Sequence, residues 1–288
     1  MISVRTLLAA AILHASGLNA QPIDHNVAYG PDSLQRLDIG TPIARGYPTI
    51  IFVHGGSLTS GDKNDDDYRN VCATFPANGI ACASINYRLA PRHAWPAQAE
   101  DVAAALEWVR TNIAERGGDP NNVFLMGHSS GAALVATVAT DERFLAAHNM
   151  KLDVIRGVIS MGSIMYDDDL EQAIARYGRD RVDSAFKRDS DNTMFGSLEA
   201  YQAKWPVRHI HSGLPPFLFL IAEKEQHQPP ILKTNQKFVD AARRLGNCAK
   251  LVVLPGRNHY SAIHRIHIPG DSVFRIVEDF VKHPRGSC

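Results

Sequence analysis

Short apolar runs alternate with longer amphipathic stretches along most of the chain. Residues 34–39, 49–53, 80–86, 123–126, 154–161, 216–222 and 250–254 have the length and composition of strands buried in a sheet. Helices are expected between them. One falls near residues 68–77. Another covers residues 97–114, where Val102, Leu106, Val109 and Ile113 recur at the spacing of one buried helical face. Residues 132–139 and 271–282 read as two more. Strands that alternate with helices imply an α/β class protein with a mainly parallel central sheet and helices on both faces. Sites in such sheets collect at the carboxyl ends of the strands. Between residues 165 and 214 the pattern becomes polar and irregular, with helix-like pieces near 168–177 and 197–205. That is too long for a plain connection and is expected to form a small cap insertion over the site. No internal repeat or low-complexity segment is present.

The chemistry concentrates at four strand ends. Val123 to Met126 leads into Gly127-His128-Ser129-Ser130-Gly131 and then a helix-forming run, so Ser129 sits where a nucleophile elbow places its serine. Two glycines flank a turn too tight for side chains, and the helix start behind Ser129 favours developing negative charge. Upstream, the 49–53 strand enters His54-Gly55-Gly56-Ser57. The amides of Gly55 and Gly56, joined by that of Ser130, are the expected oxyanion hole. Downstream, the 250–254 strand is followed by a glycine-containing loop with His259, the expected base; His264 and His267 are nearby rivals. The 216–222 strand is followed by Glu223 and Glu225. Glu225 is the expected acid that fixes the imidazole tautomer, with Glu223 as the alternative. Ordinary glycine turns, solvated glutamates and a surface histidine are the plain readings of the same residues. Four candidates on one sheet edge favour the catalytic reading.

Composition narrows the field. The chain has 288 residues, 45% of them hydrophobic, enough for one domain over residues 21–288 with a sizeable core. The formal net charge is +0, which gives no electrostatic case for nucleic acid. Arg5 followed by an apolar stretch at 7–13, then Ser16-Gly17-Leu18-Asn19-Ala20, reads as a signal peptide over residues 1–20; it is too short and interrupted to span a bilayer. A periplasmic or secreted protein without stable membrane insertion is expected. Four cysteines agree with export, Cys248–Cys288 being the favoured pair and Cys72–Cys82 the weaker. The acidic runs at 65–67 and 167–169 read as solvated, and the histidine pairs 209/211 and 264/267 lack companions for a metal site.

Leu37-Asp38-Ile39, His54-Gly55-Gly56-Ser57, Gly61-Asp62-Lys63, Asn86-Tyr87-Arg88-Leu89-Ala90-Pro91, Glu100-Asp101 and Gly127-His128-Ser129-Ser130-Gly131-Ala132 together resemble the α/β-hydrolase esterases. The likeness is to the group around hormone-sensitive lipase, bacterial carboxylesterases and feruloyl-esterase-like proteins; kynurenine formamidases are similar too. The resemblance implies a Ser129/Glu225/His259 esterase with no cofactor and a small-molecule ester as substrate. It also implies that Arg88 and Asp101 brace the scaffold. Two departures stand out. The family acid is usually aspartate, and Leu58 replaces a bulky aromatic residue. Amide hydrolysis of the formamidase type is the second reading. A non-catalytic binding protein on the same scaffold is the third.

Overall fold

The computed structural model describes residues 22–187, 191–225, 231–286 and 288. The expected leader, residues 1–20, lies outside the described residues. The strands are β1 (Asp24–Ala28), β2 (Arg36–Gly40), β3 (Tyr47–Val53), β4 (Ala81–Ile85), β5 (Gly118–His128), β6 (Ile155–Met161), β7 (Phe217–Ala222) and β8 (Ala249–Leu254). The helices are α1 (Ala97–Arg116), α2 (Ser130–Val138), α3 (Glu142–Ala146), α4 (Asp168–Tyr177), α5 (Arg179–Phe186), α6 (Asp191–Phe195), α7 (Leu198–Ala203), α8 (Ile231–Arg244), α9 (His259–His264) and α10 (Ser272–Lys282).

Hydrogen bonding orders the sheet β1-β2-β4-β3-β5-β6-β7-β8. Only β1–β2 and β2–β4 pair antiparallel; the other contacts are parallel. A parallel sheet covered on both faces has no polar side, and residues 49–53 and 123–128 are accordingly buried without alternation. The alternation survives in which core each residue enters. Ile51 and Val53 pack with Val102, Leu106 and Val109 of α1, while Ile50 and Phe52 pack with Phe274, Val277 and Phe280 of α10.

The expected helix at 68–77 does not form. Tyr68, Val71 and Phe75 are buried at helical spacing, but the chain there closes i→i+3 turns, such as Val71 to Tyr68 and Ala73 to Asn70. Pro76, which has no N–H to give, then starts a single 3₁₀ turn. Helix α1 runs two residues beyond expectation, until Gly117 at φ 103° turns the chain and donates to Ile113 and Ala114. Between β6 and β7 the described residues form α4 to α7 and no strand. Cys72 and Cys82 are disulfide-bonded, as are Cys248 and Cys288, with Cα separations of 5.3 and 5.6 Å. No helix among the described residues is long and apolar enough to cross a membrane, and no group of three or more metal-ligating side chains is gathered among them.

Candidate active site

Ser129 joins β5 to α2 with φ 53° and ψ −129°, a conformation that costs a residue with a side chain on the order of 1–3 kcal/mol. Its neighbours hold it there. The Ser129 N–H donates to Met161 O at 2.9 Å. A Cβ on Gly131 would lie 2.3 Å from Val53 O and 2.4 Å from His54 O, and one on Gly127 would lie 2.3 Å from Gly131 O. The flanking glycines are therefore demanded by close backbone approach, and the positive φ falls on the serine itself.

Past β3, the His54 ring stacks on Tyr87 with centroids 4.4 Å apart, and its Nδ1 donates to Gly55 O at 2.7 Å. Burial lowers the His54 pKa, so the ring is neutral. Gly56, Ser57 and Leu58 follow at φ 115°, 54° and 67°, and Gly56 O accepts from the amides of Thr59 and Ser60. A Cβ on Gly55 would lie 2.6 Å from the Tyr68 hydroxyl, and neither Gly55 nor Gly56 lines the neighbouring cavity. Ser57, absent from the expected donors, lines it together with Ser130. The N–H groups of Gly56, Ser57 and Ser130 have no acceptor among the described residues.

Glu225 closes a 3₁₀ turn directly after β7 and is 2% exposed. Its Oε2 accepts the Ala222 N–H at 3.1 Å, and its Oε1 accepts a close hydrogen bond from His259 Nδ1. The turn folds the longer glutamate side chain back under the strand end, where its carboxylate meets the His259 ring. Glu223 faces outward and accepts the Gly256 N–H at 2.7 Å, away from the histidine. His259 opens α9, whose start is held by a reciprocal cap between Asn258 and Ser261. Of the rival histidines, His264 is engaged by Asp67 and His267 has a buried Nδ1 without partner; neither touches Glu225. Gly162, at φ 64°, lies under the pair. Its Cβ would sit 3.1 Å from His259 Nδ1 and 3.2 and 3.3 Å from the Glu225 oxygens. Ser129 and His259 are not hydrogen-bonded to each other among the described contacts; such bonds often tighten only with substrate in place.

A cavity of about 330 Å³ opens beside Ser129, Ser130, Ser57 and Leu58. Its far wall comes from Trp95 and from the segment between β6 and β7: Met194, Phe195, Tyr201, Lys204 and Trp205. The Lys204 ammonium lies 4.2–4.5 Å from the ring centroids of Phe195, Tyr201 and Trp205. These wall residues were not singled out from sequence. Five large apolar or aromatic residues within positions 194–205, in an otherwise polar stretch, were the signal available.

An eight-stranded, mainly parallel sheet with a serine elbow after β5, a carboxylate after β7 and a histidine after β8 defines an α/β-hydrolase fold. Solved structures agree on the fold. A truncated carbohydrate esterase from gut microbiota superimposes with a TM-score of 0.72 at 18% identity, covering 94% of this chain and 99% of its own. Esterase 2 of Thermogutta terrifontis gives 0.70 at 21% identity, covering 93% of each chain. Within that fold, the chain belongs to the BD-FAE family, whose model matches residues 37–234. Among curated relatives, Esterase LipQ of Mycobacterium tuberculosis is 30% identical over 81% of this chain and 56% of its own length. Esterase LipC of the same organism is 29% identical over 81% and 58%. The chain thus spans a little over half the length of these two relatives.

Proposed function

We propose that this protein is a serine hydrolase that cleaves carboxylic esters, with Ser129, His259 and Glu225 as its triad. The observation that carries the reading is the buried Glu225 carboxylate holding His259 Nδ1 on the same sheet edge as Ser129. That bond fixes the tautomer with a bare Nε2, the atom a general base needs. Ser129 Oγ attacks the ester carbonyl and its proton passes to His259 Nε2. The oxyanion is held by amides of Ser57 and Ser130, with Gly56 beside them. Collapse breaks the bond to the alcohol oxygen, which takes the proton from His259, and leaves an acyl-Ser129. His259 then deprotonates a water, whose attack releases the acid and restores the serine.

The small cavity with aromatic walls supports short acyl or aryl esters as substrates. Helices α4 to α7 form the cap that sets this preference. The charged-then-apolar start of the chain and the two disulfides support a periplasmic or secreted enzyme. The test is a hydrolysis panel of p-nitrophenyl esters from acetate to palmitate, methyl ferulate and N-formylkynurenine, with Ser129→Ala as reference. Short or aryl esters turned over by wild type and lost by several orders of magnitude in the variant support the reading. Full activity in Ser129→Ala overturns it, and preference for the formamide moves the protein to amide hydrolysis.

A further inference from the structure

Directly behind the triad, two side chains that do not line the cavity join the glycine loop to the base. Tyr68 Oη lies 3.1 Å from His128 Nδ1, and His128 Nε2 lies 3.0 Å from the backbone oxygen of His259. The Tyr68 hydroxyl also packs against Gly55, 2.6 Å from where a Cβ on that glycine would lie. His128 is fully buried and Tyr68 nearly so. His128 also precedes the nucleophile, and its ring is 4.4 Å from that of His259.

The protons in this chain can be assigned from chemistry. A backbone oxygen only accepts, so His128 Nε2 carries hydrogen. Burial drives the His128 pKa down to about 3, so the ring is neutral and its Nδ1 is bare. Nδ1 therefore accepts from the Tyr68 O–H. Both donors point the same way, from Tyr68 through His128 to His259.

We infer that Tyr68 and His128 are positioning residues, a one-way hydrogen-bonded strut that holds the base His259 in register with the glycine loop. The inference rests on the esterase reading of Ser129, His259 and Glu225. The strut joins the turn before β4, which packs on Gly55 after β3, to the end of β5 and the start of α9. It acts on the base through that residue's own backbone, while Glu225 acts through the ring. The His259 carbonyl sets the His128 tautomer, and the Tyr68 hydroxyl supplies the donor that the bare Nδ1 then requires.

The test measures kcat, KM and thermal melting on p-nitrophenyl butyrate for wild type, Ser129→Ala, His128→Leu, His128→Gln and Tyr68→Phe. Glutamine places an amide N–H near the position of Nε2 and does not titrate. His128→Leu is expected to lower kcat roughly tenfold or more with KM nearly unchanged, because a misplaced base is a transition-state defect. His128→Gln is expected to recover most of that loss, and Tyr68→Phe to fall between. Wild-type kcat in both His128→Leu and Tyr68→Phe overturns the strut. So does a loss that follows melting temperature alone with no recovery in His128→Gln. A wild type silent on all esters while folded removes the esterase reading instead, and the strut with it.

Discussion

The catalytic edge of the sheet and the helical insertion between β6 and β7 are held by different means. At the edge, the last six residues of β5 are all buried, and α1 behind it buries ten. Backbone meets backbone there, as at Gly131 against Val53 and His54. Helices α4 and α5 bury no residue at all. Apart from Phe186, which packs on Tyr201, their links to the rest are mostly polar, such as Asp168 to Lys233 and Lys237 and Glu171 to Arg208. Exposed ion pairs of this kind add little to stability and weaken with salt. Yet the segment that follows, α6 and α7 to Trp205, supplies most of the cavity's far wall. Atoms that must stay within fractions of an ångström are set in packed strand ends. The residues that wall the cavity are held by side-chain packing instead, with Phe195 and Trp205 buried.

Substitutions can break that contrast, and the deepest effect should fall on the edge. Glu225→Ala should cost roughly 10³–10⁴-fold in kcat while the fold persists, since the imidazole loses its tautomer lock. Steady-state kinetics with a circular dichroism control would check this. Gly162→Ala comes next. A methyl group 3.1–3.3 Å from the acid–base pair, on a residue at positive φ, should lower kcat roughly tenfold or more and lower the melting temperature. On the insertion, Trp205→Ala should leave kcat for an acetate ester within a few-fold, yet raise KM for aryl esters roughly tenfold by removing an aromatic wall. Equal losses on every ester would mean that the insertion serves the chemistry itself.

The smallest effect is one of pH. His128 is neutral in the fold with a pKa near 3, whereas in the unfolded chain it protonates near 6.5. Below about pH 6.5 the unfolded state binds the extra proton, so stability falls on acidification until about pH 3, by at most about 1.4 kcal/mol per pH unit. Buried His54, also lowered, adds in the same direction. Urea unfolding at pH 7, 6 and 5 should show this slope, and His128→Gln should flatten it. An unchanged slope in that variant would assign the effect elsewhere.

The parts of the site that were legible share one property. Ser129, Glu225 and His259 each stand just past an apolar run, so finding the run located the residue and the parallel sheet brought the strand ends together. Composition could not tell which amides meet the cavity. That depends on three successive positive φ angles at Gly56, Ser57 and Leu58, and two of those residues have no conformational signature of their own. The turns at 68–75 read as helix because their buried positions copy helical spacing without its hydrogen bonds. Strand β1, largely exposed at the sheet edge, has no hydrophobic pattern to read. Helix α8 was overlooked although it is amphipathic, and two of its buried positions, Thr234 and Asn235, are polar. The Tyr68–His128 contact joins residues sixty positions apart and has no sequence signature.

The serine's backbone also limits which chemistries this scaffold can inherit. At φ 53° position 129 tolerates an unbranched side chain held by its surroundings, but a β-branched one is stiff and crowded there. Threonine, though it bears the same hydroxyl, is thereby shut out as a nucleophile. Cysteine has the right shape and a more reactive atom. Descendants of this elbow can cross from alcohol to thiol in a single step, and the neighbouring alcohol, one methyl group away, stays beyond their reach.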